Sequence, residues 1–186
     1  MYYNYYRVSG NASNNAWFFD EDTTPDGVLC RQCGSCINER YVPRLLKIHV
    51  SKKYDISYTN DLQMIVSEKF LSALESCGIT NVSRPVQTDL GTMYQLVVND
   101  YAIFDSERRK TRFLKMCGIC GQYYEVIGAS PVFLKGFSVT GKDIYRTDLM
   151  FGTGCDKHWL LICSERVLEA LKQQKLRGLD YKPVIL

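Results

Sequence analysis

At 186 residues, 46% hydrophobic and 23% charged, the chain has the composition of a globular protein with a core of its own, which excludes long disorder. Its 23 basic and 20 acidic side chains leave a net charge of only +3, too small to predict a nucleic-acid or membrane partner from charge alone. No apolar run approaches the roughly 18 residues of a membrane helix, and the opening MYYNYYRVSGNASNN has no basic stretch followed by an apolar one. Neither a membrane span nor a signal peptide is therefore expected, and a cytoplasmic, reducing location is.

In chain order, the cluster Tyr2, Tyr3, Tyr5 and Tyr6 suits a strand or a half-buried surface and offers an aromatic contact region. Asp20, Glu21, Asp22 and Asp26 form an acidic loop, readable as a solvated turn or as a partner-binding surface. Leu45–Val50, Tyr94–Val98, Gln122–Ile127 and Val132–Phe137 read as strands. Arg108, Arg109, Lys110 and Arg112 put four cations in five positions, but Asp105 and Glu107 flank them, as in a solvated hairpin or loop. Strands exceed helices, so an α+β fold in a single domain, 1–186, is expected.

The eight cysteines carry the chemistry. Cys30-Arg-Gln-Cys33-Gly34 and Cys117-Gly-Ile-Cys120-Gly121 repeat one local pattern. Two intervening residues let both thiolates of a pair point at one ion from a tight turn, and the following glycine admits a positive φ. Two such knuckles complete a tetrahedral shell, which suits a structural Zn²⁺ best. Two unrelated turns or a redox dithiol are the alternatives, although neither pair is followed by a convincing helix. Cys36 extends the first pair, as a spectator, an alternative ligand or part of an iron–sulfur motif. Cys155 and His158 have ligand-like spacing, but His158 leads into the apolar run Trp159–Ile162, as an ordinary strand residue does. Cys77 and Cys163 lie in apolar patterns and read as core.

A second repeat follows the same order. Residues 65–80 align with 162–177 at six identities in sixteen, where chance gives roughly one. In each copy a strand ends at Ser67 or Ser164, a residue type that caps helices, with Glu68 or Glu165 in the first turn. Phe70, Leu71 and Leu74, or Val167, Leu168 and Leu171, form the buried stripe. The helices should end near Gly78 and Gly178, followed by an extended segment reaching Pro85 or Pro183. The cysteine offset is 117 − 30 = 87 and the serine offset 164 − 67 = 97, so about ten extra residues fall in the second copy, in the 128–157 region. The expected architecture is two related strand–helix–strand halves, roughly 25–90 and 112–186, joined by a shared zinc-knuckle site. Two common N-capped helices with no shared origin are the alternative.

These motifs resemble the bacterial double-CXXCG proteins, which carry two such knuckles and a late strand–Ser–Glu–helix unit. Leu160–Pro183 is also similar to the tail of related families of immunity proteins. The resemblance implies a cytoplasmic protein that binds and sterically neutralises a cognate toxin. A zinc-ribbon nucleic-acid or ribosome-associated protein is the alternative, with the Arg108–Arg112 cations on phosphate. An enzyme is not expected. Two histidines leave little acid–base chemistry, a Cys155 pair with His49 or His158 being the one candidate. The Gly152-Thr-Gly154 turn is too short to bind phosphate, and four thiolates would close the metal shell.

Overall fold

A computed structural model describes residues 4–48 and 54–186. It is a mostly β, α+β arrangement. In chain order the elements are β1 (Tyr5–Gly10), β2 (Ile56–Tyr58), β3 (Met64–Val66), α1 (Glu68–Ser76), β4 (Ser83–Thr88), β5 (Gly91–Leu96), β6 (Tyr101–Phe104) and α2 (Ser106–Arg109). They continue with β7 (Arg112–Met116), β8 (Tyr123–Ile127), β9 (Leu134–Phe137), β10 (Ile144–Thr153), a 3₁₀ turn (Gly154–Asp156), β11 (His158–Ser164), α3 (Glu165–Gln173) and β12 (Leu179–Pro183).

Four strands form one sheet in the order β2-β3-β5-β4. The larger sheet contains β12-β1-β11-β10-β6-β9, with the β7–β8 hairpin joined through β8 to the far end of β10. Part of the larger sheet has the same pairing pattern as the smaller. Both β2-β3-β5-β4 and β10-β11-β1-β12 are antiparallel throughout. Tyr94 lies opposite Val66 and Pro85; Tyr6 lies opposite Cys163 and Pro183. The place that β5 takes beside β3 and β4 is thus taken, beside β11 and β12, by a strand from the other end of the chain.

Both helices form where a short apolar strand meets a capping serine. Ser67 Oγ accepts the Phe70 N–H at 3.3 Å and Ser164 Oγ accepts the Val167 N–H at 3.4 Å. Each cap is itself held by the aspartate that precedes its hairpin: Ser67 donates to Asp55 at 2.7 Å, and Ser164 donates to Asp143. The helices pack on each other. Lys69, near the start of α1, donates to the Lys175 carbonyl beyond the end of α3, and Arg166, near the start of α3, donates to the Cys77 carbonyl capping α1. The helices therefore run antiparallel, each end receiving a cation where its dipole is negative. Phe70, Leu74, Val167, Leu168 and Leu171 are at most 1% exposed and share a core with Val8, Ile56, Val66, Leu161 and Cys163 from both sheets. Burial of each large side chain there is worth about 1.5–3 kcal/mol.

Three expectations need correction. Helix α3 ends at Gln173, not near Gly178; Lys175 makes the reversal at φ 49°. Gly178 is required for a different reason, since a Cβ there would lie 2.5 Å from the Ile56 carbonyl oxygen. Tyr5 and Tyr6 take the expected strand, but not as an open contact region: Tyr5 is 5% exposed and Tyr6 pairs on both sides, while Tyr2 and Tyr3 lie outside the described residues. The Leu45–Val50 strand reduces, over its described part, to a bridge between Leu46 and Thr88.

Candidate metal centre

The two knuckles have one backbone geometry. The Gly34 N–H donates to the Cys30 carbonyl at 2.7 Å, and the Gly121 N–H to the Cys117 carbonyl at 2.9 Å. The turn then closes by Cys30 N–H to the Ser35 carbonyl and Cys117 N–H to the Gln122 carbonyl, both at 2.8 Å. Gly34 and Gly121 sit at φ 70° and 71°, the left-handed region that a side chain would strain. The second knuckle is the turn of the β7–β8 hairpin; the first is closed by the Leu29–Cys36 bridge.

These turns bring Cys30, Cys33, Cys117 and Cys120 together, with all four sulfurs within 4.8 Å of one another. Cys30 and Cys117 sulfurs are 3.8 Å apart, and those of Cys33 and Cys120 are 3.5 Å apart. Four sulfurs at about 2.3 Å from a central ion lie about 3.8 Å apart at the corners of a tetrahedron. A disulfide needs about 2.05 Å, and all eight cysteines are free. The cluster can hold a metal ion. Cys30 and Cys117 are 2% and 6% exposed, so its inner side is screened from water.

The electrostatics fit a cation. Backbone N–H groups of Cys33 and Gln32 lower the Cys30 thiol. Burial is the largest influence on Cys33 and raises it, but the Ser35 hydroxyl, the Ser35 N–H and the sulfurs of Cys120 and Cys117 outweigh it, taking the thiol down to about 6. For Cys120 the Gln122 N–H acts downward most strongly, yet burial and the sulfurs of Cys33, Cys117 and Cys30 together push it up to about 12. Donors favour thiolate while neighbouring thiolates resist one another, a conflict that a divalent ion among them removes.

One residue of this site carries no sequence signal. Lys157 is 3% exposed, and its ammonium donates to Gln122 Oε1 at 2.9 Å and to the Tyr123 carbonyl at 2.7 Å. Gln122 in turn donates to the Cys36 carbonyl at 3.0 Å, so one chain of hydrogen bonds crosses both knuckles. Burial lowers the Lys157 pKa, while the thiolates of Cys33, Cys120, Cys36 and Cys117 act to raise it. A buried cation beside four thiolates offsets charge that a divalent ion leaves uncompensated.

The other candidates fall outside the cluster. Cys36 packs into an apolar group with Cys155, and burial raises both thiols, that of Cys155 to about 11. His158 sets Nδ1 3.3 Å from the Asp156 carbonyl and its ring edge-on to Tyr58; His49 lies outside the described residues. Cys163 is fully buried in the main core and Cys77 half-buried at the end of α1. Glu21, Asp22 and Asp26 are exposed; Asp20 Oδ1 accepts from the Asp22 N–H and the Thr23 hydroxyl, a turn satisfied from within. Arg108 stacks over Phe133 and belongs to the short helix α2; it and Lys110 are exposed, and Arg112 opens the β7–β8 hairpin. No protein-family model matches the chain, and no curated protein matches its sequence.

Proposed function

We propose that Cys30, Cys33, Cys117 and Cys120 hold a structural Zn²⁺ that staples two related units, roughly 25–90 and 112–186, and that the stapled scaffold is a binding protein. Its work is steric: as in the immunity families its motifs resemble, it covers a cognate toxin within the cytoplasm. One observation carries this reading. The shell is built wholly of thiols, one CxxC pair from each unit, which suits a closed structural site with no position left for substrate.

Three matches support the relation between the units. The knuckles share hydrogen bonds at an offset of 87 residues, 35 and 122 included. The caps share Asp–Ser pairs, Asp55–Ser67 and Asp143–Ser164. The sheets share strand order and register, with β1 completing the second unit. That β1 precedes the first unit in sequence but serves the second, and that both helices share one core, support reading the chain as a single domain. Eight unpaired cysteines support a reducing compartment.

The test has two arms. Purified protein should contain one zinc per chain, and replacing any of the four ligands by serine should abolish it; Cys36→Ser and Cys163→Ala should retain it. Co-expression with the adjacent gene product should give a stable complex burying at least about 1,200 Å² in all and should rescue cells from that product alone. Metal-free protein would remove the staple. No complex and no rescue, with salt-sensitive RNA binding, would replace the immunity reading with a zinc-ribbon nucleic-acid one.

A further inference from the structure

A cavity of about 260 Å³ opens where the four-stranded sheet meets β10 and β11; Cys36 is the one cysteine that lines it, and none of the four clustered cysteines does. Its walls combine aromatic surface, including Phe18, Tyr41 and Trp159, with the guanidinium groups of Arg84 and Arg146. Arg40 stands at the same opening, so three cations face the one carboxylate that lines it, Glu39. That carboxylate reaches Arg146 at 3.3 Å but is itself 58% exposed, while the Arg146 side chain is 14% exposed.

Arg146 is a prepared donor. Its guanidinium lies 4.8 Å over the Tyr101 ring and donates to the Tyr101 hydroxyl at 2.9 Å, which fixes its plane. Its Nε is buried with no partner among the described residues, and so is Gln95 Oε1 on the same wall. Arg84 is held by its donation to the Glu39 backbone carbonyl at 2.9 Å. Two oriented guanidiniums and aromatic walls match a carboxylate on a flat apolar body. We propose that this cavity is a binding site for such a ligand, that Arg146 and Arg84 receive its carboxylate, and that Glu39 occupies the anion position until the ligand displaces it. The proposal rests neither on metal binding nor on the toxin-binding reading.

The chain has two tryptophans, so a Trp17→Phe background leaves Trp159 as the sole reporter; Trp17 is 56% exposed, so the fold should tolerate the change. Titration with phenylacetate should change Trp159 emission saturably, and phenylacetamide should not. Arg146→Met should weaken phenylacetate at least about tenfold, the loss expected for a charged hydrogen bond. Glu39→Gln, on an exposed side chain, should strengthen it, because the resident carboxylate is gone. Should Arg146→Met fail to fold, Arg84→Met provides the same reading. A parallel titration with Ac-Phe-Glu-Phe-NH₂ against its Gln counterpart distinguishes a carboxylate carried on a polypeptide from a free acid; the tighter arm assigns the source. No saturable change in either arm, equal response to acid and amide, or no gain in Glu39→Gln would overturn the proposal.

Discussion

Replacing Lys157 by methionine isolates what a buried cation does for a thiolate site. Methionine keeps the length and the apolar stem but removes the ammonium, leaving Gln122 Oε1 and the Tyr123 carbonyl without their donor. An unsatisfied buried acceptor costs about 1–3 kcal/mol, so two cost about 4 kcal/mol. The ammonium was itself expensive to bury, as its lowered pKa records, which returns part of that cost. A net loss of about 3 kcal/mol in a chain of this size corresponds to about 6–12 °C in Tm. Separately, Zn²⁺ with four thiolates carries two negative charges, and removing the adjacent cation should weaken the metal about 10- to 100-fold, as other outer-shell losses do. Competition against a chromophoric chelator reads the affinity, and thermal unfolding reads the stability. Lys157→Gln keeps a hydrogen-bond donor without charge, and should recover stability more than affinity. Wild-type zinc affinity in Lys157→Met would refute the electrostatic argument, whatever happens to Tm.

The remaining predictions are local. Ser67→Ala and Ser164→Ala should each cost about 1 kcal/mol, as lost caps do; a change within error in urea unfolding would mean the Asp–Ser–helix contacts contribute nothing. Burial depresses the His158 pKa below 6.5, so the unfolded chain takes up the proton first. Stability attributable to this group is therefore present above about pH 6.5 and is lost as pH falls through the lower folded value. His158→Phe should flatten the stability profile below about pH 6.5, and an unchanged profile would exclude His158 as its source. Asp143, lowered chiefly by its hydrogen bond from Arg166, should contribute stability above about pH 4 that is lost as pH falls further. Asp143→Asn should remove that component, and an unchanged acid limb would show that it was absent.

What could be read from the sequence was local in its physics. A CxxCG knuckle is defined by hydrogen bonds within six residues, and a serine cap by one bond three residues along, so both sets of residues behave as their spacing implies. The end of α3 is not legible in the sequence because a glycine stops a helix or admits a close neighbour with equal ease, and Gly178 does the second against Ile56. The tyrosines of β1 fit a surface patch as well as a strand; only the vacancy between β11 and β12, set by residues over 150 positions away, decides. Lys157 had no signal at all, since a lysine between Asp156 and His158 ordinarily points to solvent. The cavity had none either, because Arg40, Arg84, Gln95 and Arg146 arrive from four separate segments.

On the two-unit reading, the difference between the units explains how the centre is built. From Asp55 to Ser67 is 67 − 55 = 12 positions, and from Asp143 to Ser164 is 164 − 143 = 21, so the second hairpin is nine residues longer. From each first cysteine to its aspartate the spacings are 55 − 30 = 25 and 143 − 117 = 26. Nine of the ten extra residues therefore lie in the β10–β11 hairpin. That extension reaches the metal centre. It carries Gly154, whose α-carbon leaves an added Cβ only 3.5 Å from the Cys33 carbonyl, and Lys157, which joins the second knuckle. Its outer strand also pairs with β8, the arm of that knuckle. The short β2–β3 hairpin offers no such reach, since three-residue strands at about 3.3 Å per residue end about 10 Å from where they begin. The two cysteine pairs are alike and Gln32 of the first also reaches Cys117, but the buried cation beside them comes from the second unit alone.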